Sequence, residues 1–195
     1  IHNTQDMDID IRPAKEEDRL AIAGCIAEGF ERDFSIFSKD ISKTIHAIAG
    51  GIQTERFYVA VIAQEVAGVI GLSDCRWRAV RTDKAAYRRH WGPLKGSLAY
   101  WILKKEFESR LPYPSSTGFL EFAAVRKKFR RQRIASTLLK ECMRQANYQE
   151  YALDVVAANT PAMNCYLKLG FKEFHRAKKS NKHVHIYMKR SNKNS

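Results

Sequence analysis

The stretch "FAAVRKKFRRQRIASTLLKE", Phe122 to Glu141, sets Arg126, Lys127, Lys128, Arg130, Arg131 and Arg133 where a helix begins. The residues that follow, Ile134, Leu138, Leu139, Cys142, Met143 and Ala146, form an apolar stripe at helical spacing. A helix N-terminus already carries partial positive charge and unpaired N–H groups, so cations massed there are unfavourable by themselves. They become favourable once an anion docks on that end. The alternative is a solvated basic face; a position squarely between a strand and a helix start favours the anion site. Further along, "NTPAMNCYLKLGF" offers Thr160 as a helix cap, Pro161 at the first helical position and Gly170 as the stop. Ala162, Tyr166 and Leu169 then share one helix face, with Asn159 just before the cap. A tyrosine so placed either packs with its hydroxyl satisfied or offers that hydroxyl to chemistry.

Other reactive residue types form no competing site. Cys25, Cys75, Cys142 and Cys165 are scattered without a C-x-x-C pair, which argues against zinc and against a disulfide framework. Cys165 adjoins Tyr166 without a histidine positioned to activate it, so it is read as packing. His183, His185 and Tyr187 alternate along one strand face and read as a polar sheet face; no metal is expected. Asp6, Asp8 and Asp10 lack the glycine and distal glutamate of a calcium loop. With 195 residues, 45% of them hydrophobic, the chain suits one globular domain. Its net charge of +13 implies an anionic ligand or partner: nucleic acid, an acidic membrane surface or a phosphorylated cofactor. No apolar run is long enough to span a bilayer, no signal-peptide layout opens the chain, and the unpaired cysteines suit a reducing, cytoplasmic location.

The elements that must carry these residues alternate between strands and helices. "DIDIR" reads as a strand, and "AKEEDRLAIAGCIAEGF" as a helix turning Leu20, Ile22, Ala23, Ile26 and Phe30 inward. "SKDISKTIHAIAGG" is a second helix closed by glycine, and "RFYVAVIAQEVAGVIGLSDC" a hairpin turning near Gln64 and Glu65. After an insertion over 76–117, "GFLEFAAV" is a strand, the basic segment leads a helix to about Asn147, and "YALDVVA" is a strand. "TPAMNCYLKLG" is the next helix, and "FKEFHR" and "KHVHIYMKR" are closing strands. The expected fold is mixed α/β, a sheet with helices on its faces. Residues 1–195 form a single domain, with 1–7 a disordered or vector-derived leader and 190–195 a basic tail.

Two segments together resemble the GCN5-related N-acetyltransferase (GNAT) superfamily. That family's acetyl-CoA motif is a strand ending in valine, then Q/R-x-x-G-x-G/A opening a helix; here Val125 precedes Arg130, Arg131, Gln132, Arg133, Ile134 and Ala135. Its later motif, N-x-x-A-x-x-x-Y-x-x-x-G-F, appears as Asn159, Ala162, Tyr166, Gly170 and Phe171. The resemblance implies a mixed, mostly antiparallel sheet of six to seven strands flanked by helices, with the helical insertion before the fourth strand. It implies acetyl-CoA as acetyl donor, with its pyrophosphate on the backbone N–H groups of Arg130 to Ser136. Arg133 stands where the family carries glycine, and is expected to turn its side chain outward while still offering its N–H. Ala123, Ala124 and Val125 would hold the pantetheine arm through the main chain, with the Val125 N–H polarising the thioester carbonyl. Asn159 would touch that arm or fix the loop, and Ala162 would line the cofactor site. Glu121 is the candidate general base, acting through water, its alternative being a solvent-facing strand glutamate. Tyr166 matches the family's general acid for the departing thiolate. The acceptor implied is a primary amine of a small molecule or peptide, and a homodimer is compatible.

The insertion holds Trp77, Trp91 and Trp101 and a helix from about Pro93 to Arg110, read either as a cover for the sheet or as a lid or acceptor wall. Two other functions compete. A degenerate relative would bind acetyl-CoA as a sensor without transfer. A basic nucleic-acid-binding module would use the cations with Tyr87, Trp91 and Phe129, but leaves the Asn-Ala-Tyr-Gly-Phe spacing as coincidence.

Overall fold

A computed structural model of the chain describes residues 8–179 and 183–192. The chain begins with strand β1 (Asp10–Pro13), helix α1 (Arg19–Gly29), a single turn α2 (Glu31–Phe34) and helix α3 (Ile41–Ala49). The hairpin β2 (Phe57–Ile62) and β3 (Glu65–Ser73) follows, then two insertion helices, α4 (Lys84–Trp91) and α5 (Pro93–Glu108). The second half runs β4 (Thr117–Val125), α6 (Ile134–Ala146), β5 (Glu150–Val156), α7 (Thr160–Lys168), β6 (Lys172–Lys178) and β7 (Val184–Ser191). They build one seven-stranded sheet in the order β1-β2-β3-β4-β5-β7-β6. Every pairing is antiparallel except β4 with β5.

Alternation along the central strands divides the core. Val59, Val69 and Ala124 face a cluster with Ile22 and Ile26 of α1, Ala47 and Ile48 of α3, Tyr87 and Trp91 of α4, and Leu103 and Phe107 of α5. Ala60, Ile70, Leu120 and Leu153 face the other way, onto Ile134, Leu138, Leu139, Cys142 and Met143 of α6. The apolar stripe read from the sequence is therefore the buried face of α6. Helix α1 closes on β4 where a Cβ at Gly29 would stand 2.8 Å from that of Ala124, a contact only glycine permits.

Several expectations need correction. Leu20 is 56% exposed rather than inward, because the core-facing arc of α1 runs through Ile22, Cys25 and Ile26. The insertion holds two helices instead of one. Asp83 caps α4 by accepting from the Ala86 N–H at 3.0 Å, and Gly92, at φ +91°, breaks the chain before Pro93. The cap of α7 is Asn159, whose Oδ1 accepts from the Ala162 N–H at 3.3 Å, and Thr160 is its first helical residue. Arg190 and Ser191 belong to β7 rather than to a tail. Residues 1–7, read as a leader, and 193–195 lie outside the described residues.

Candidate active site

β4 and β5 pair only at Thr117–Glu150, Gly118–Tyr151 and Phe119–Ala152, after which 120–125 and 153–156 diverge. A β-bulge in β4 helps turn the strand: its register against β3 slips between Val69 and Gly71, and Phe122 takes φ +55°. The divergence leaves an open edge along the end of β4. Arg130 Nε donates to the Val125 carbonyl at 3.1 Å from the following loop. The N–H and C=O of a strand residue point the same way, so the Val125 N–H also faces this edge.

Directly beyond β4 lies the basic loop, and its six cations divide into two groups. Arg126 pairs with Glu28 at 3.1 Å and Glu65 at 3.3 Å, Lys127 with Glu31 at 2.6 Å and Lys128 with Glu65 at 2.5 Å. These three tie the loop to α1, α2 and the β2–β3 hairpin. Arg130, Arg131 and Arg133 are exposed, and no carboxylate pairs with them among the described residues. All six precede α6, which begins only at Ile134. Arg131 (φ +65°) and Arg133 (φ +59°) both adopt the left-handed conformation, and Arg133 forms the N-cap of α6 without a capping side chain. This explains why a glycine suits the position of Arg133: the backbone shape is that of glycine, held here by an arginine at a cost of about 1–2 kcal/mol. Gln132 keeps a buried amide oxygen without a hydrogen-bond partner among the described residues. An uncapped helix start, three guanidinium groups without a carboxylate partner and an orphaned amide oxygen thus come together at the end of β4, the kind of helix terminus at which anions are stabilised. Ala135 and Ser136 lie in the first turn of α6, as the sequence reading requires, with Ala135 exposed.

Two polar clusters lie at the mouth of the divergence. Phe119 and Ala152 are the last paired residues, so Glu121 and Asp154, two steps on, belong to the same sheet face on opposite sides of the opening. Glu121 is largely buried and not solvent-facing. Arg78 reaches it with Nε at 3.3 Å and Nη2 at 2.8 Å, and the Ser73 hydroxyl donates to Oε1. Asp154 accepts from His185 Nδ1 at 2.8 Å and from Lys179 Nζ at 3.1 Å. Burial pushes the Asp154 carboxyl up, but these partners hold it below its ordinary value. Lys179 also meets Glu106 of α5 at 3.1 Å. The His185 Nε2 is buried without a partner among the described residues, and no group of metal-ligating side chains occurs among them.

Tyr166 is half-buried on α7, edge-on to Phe171 with ring centroids 6.1 Å apart. Burial pushes its phenol up to about 12, with the nearby Cys165 thiol and the Asp154 charge adding to the shift, so the group keeps its proton at neutral pH. Burial also raises the Cys165 thiol, leaving it protonated and unreactive. Asn159 and Ala162 are joined by the cap at the start of the same helix. Sequence reasoning missed Arg78, Ser73 and Asp154. The charge of Asp154 inside the apolar run "YALDVVA" was the available signal for one of them.

Among the described residues the mixed sheet opens at its one parallel pair, beside an uncapped, arginine-flanked helix start, the arrangement of an acetyltransferase type of fold. The sequence model of the acetyltransferase (GNAT) family matches residues 26–171, and the chain belongs to that family. An N-alpha-acetyltransferase of Sulfurisphaera tokodaii is 38% identical over 68 residues, which cover 33% of this chain and 41% of that relative. An N-acetyltransferase from Staphylococcus aureus Mu50 shares the fold with a TM-score of 0.64 and 18% identity, over 93% of this chain and 100% of that one. A chain of the NatC complex, solved with Gag peptide and CoA, aligns with a TM-score of 0.56 and 18% identity, over 95% and 99%.

Proposed function

We propose that the protein transfers the acetyl group of acetyl-CoA to a primary amine, the acceptor being a small molecule or a peptide. The observation that carries this reading is the divergence of β4 from β5 directly before the uncapped N-terminus of α6. A pantetheine arm fits beside β4 as an added strand on the main chain of Ala123 and Val125, with Ala124 between them partnered with Val69 of β3, while the pyrophosphate rests on the N–H groups from Arg130 to Ser136. Arg130, Arg131 and Arg133 neutralise the phosphates; Arg126, Lys127 and Lys128, already neutralised by glutamates, serve the loop's shape. The Val125 N–H polarises the thioester carbonyl. The amine attacks that carbon, the C–S bond breaks, and Tyr166 gives its proton to the departing sulfur. Glu121, its oxygens held by Arg78 and Ser73, takes the proton that the amine loses, through water at the mouth of the opening.

The name of the Sulfurisphaera tokodaii relative and the peptide in the NatC complex make the α-amino group of a peptide the first acceptor to try. The test is to incubate the protein with acetyl-CoA and a panel of peptides and small amines while following thiol release. Amine-dependent release supports transfer. Thermal stabilisation by acetyl-CoA without release on any amine would mark a sensor, and stabilisation by single-stranded DNA alone a nucleic-acid module.

A further inference from the structure

Helix α5 is apolar on two opposite sides. Gly96, Ala99, Leu103 and Phe107 are buried against the sheet. Leu94, Leu98, Trp101 and Ile102, on the reverse side at helical spacing, are 86%, 59%, 65% and 46% exposed. Other exposed large apolar side chains among the described residues are spread over separate elements; these four form a continuous ridge.

Five exposed cations surround the ridge, against two acids on the same helix, Glu106 and Glu108, the latter beside Trp101. Lys95, Lys104 and Lys105 of α5 and Lys84 and Arg88 of α4 are all exposed. Lys84 Nζ lies 5.5 Å from the Tyr100 ring centre and 5.9 Å from that of Trp101, and Lys104 Nζ lies 5.2 Å from Tyr100. The acids of the helix are engaged elsewhere, Glu106 with Lys179 and Glu108 with the N–H and hydroxyl of Thr82. Aliphatic side chains and tryptophan flanked by lysines make the composition of a helix lying in a lipid interface, its lysine stems along the apolar zone and its ammonium groups at the headgroups. A second copy of the chain is disfavoured, because pairing two such ridges brings two sets of cations together. Nucleic acid would leave the ridge against water. A protruding ridge needs no matching groove on a fluid surface. Among the described residues no helix is long and apolar enough to cross a membrane.

We infer that α5 docks the protein on an anionic lipid surface, through Leu94, Leu98, Trp101 and Ile102 and their rim of cations. This stands independently of acetyl transfer. The test is co-sedimentation of the full chain with phosphatidylcholine vesicles, with and without phosphatidylglycerol. The chain is expected to sediment with the anionic vesicles, less so as salt rises. The double variant Leu98→Ser, Trp101→Ser, altered only at exposed positions, should partition about ten-fold more weakly or worse while keeping the parent melting temperature. Three results would each overturn the inference. They are no binding to anionic vesicles, equal binding of parent and variant, which would assign binding to net charge alone, and a concentration-dependent dimer abolished in the variant.

Discussion

Tyr166 keeps its proton because its surroundings are dry, so the donor form is the one present at neutral pH, although the raised phenol is a weaker acid than the thiol near 8.5 that it would form. Tyr166→Phe preserves the ring and its contact with Phe171, so cofactor affinity should survive while turnover falls about 10²- to 10⁴-fold. Steady-state kinetics on an identified amine separate the two, and wild-type turnover would reduce Tyr166 to packing. Asp154 gives a prediction in pH. Its carboxyl sits below the ordinary value in the fold, so its contribution to stability is full above the unfolded value near 3.9 and is lost as pH falls through the folded value. Lys179, raised by Asp154 and Glu106 against the lowering effect of burial, stays charged throughout that range. The melting-temperature gap between the parent and Asp154→Asn should therefore be widest near neutrality and close below about pH 4. A gap constant with pH would show that the pairing contributes no linked stability.

The loop before α6 behaves as two devices joined end to end, and mutation should divide them. Arg130→Ala or Arg131→Ala should weaken acetyl-CoA binding by about 1.5–3 kcal/mol, the scale of a charge-assisted hydrogen bond. Lys127→Ala and Lys128→Ala break exposed ion pairs with Glu31 and Glu65, and should change stability by about 1 kcal/mol or less with cofactor affinity nearly intact. Equal losses of affinity in all four variants, measured by calorimetry, would contradict the division. Arg133→Gly removes left-handed strain and a cation at once. The ligand-free protein should melt no lower, while the shift caused by coenzyme A shrinks. The sequence made α6, its buried stripe and α7 legible because their patterns are local. It hid the division of the cations, since Glu28, Glu31 and Glu65 come from elements far away in the chain. Helix α4 was equally hidden: Lys84–Trp91 is short and rich in arginine, and its core face consists of the buried Tyr87 and Trp91, with Trp91 packed on Phe34, Phe37 and Tyr87.

At the scale of the molecule, Arg78 fastens the insertion to the sheet, binding Glu121 of β4 and the carbonyls of Glu106 and Ser109. Removing one member of a buried pair strands the other, so Arg78→Ala should cost about 3–5 kcal/mol in urea denaturation. Arg78→Lys should restore little, because one ammonium cannot span these partners. Nothing in the spacing of residues 78 and 121 announces this bond; it exists only once the insertion has folded over β4. The opening between β4 and β5 has a consequence of its own. Among the described residues the ladder between β4 and β5 has three positions, all at the start of the strands, so the sheet carries a seam at its centre. A molecule lying in the seam as an extra strand would complete the ladder on the β4 side. Amide hydrogens of Ala123 and Val125 should then exchange quickly with deuterium in the free protein and slowly with coenzyme A bound, which makes the donor a structural member of the sheet for as long as it stays.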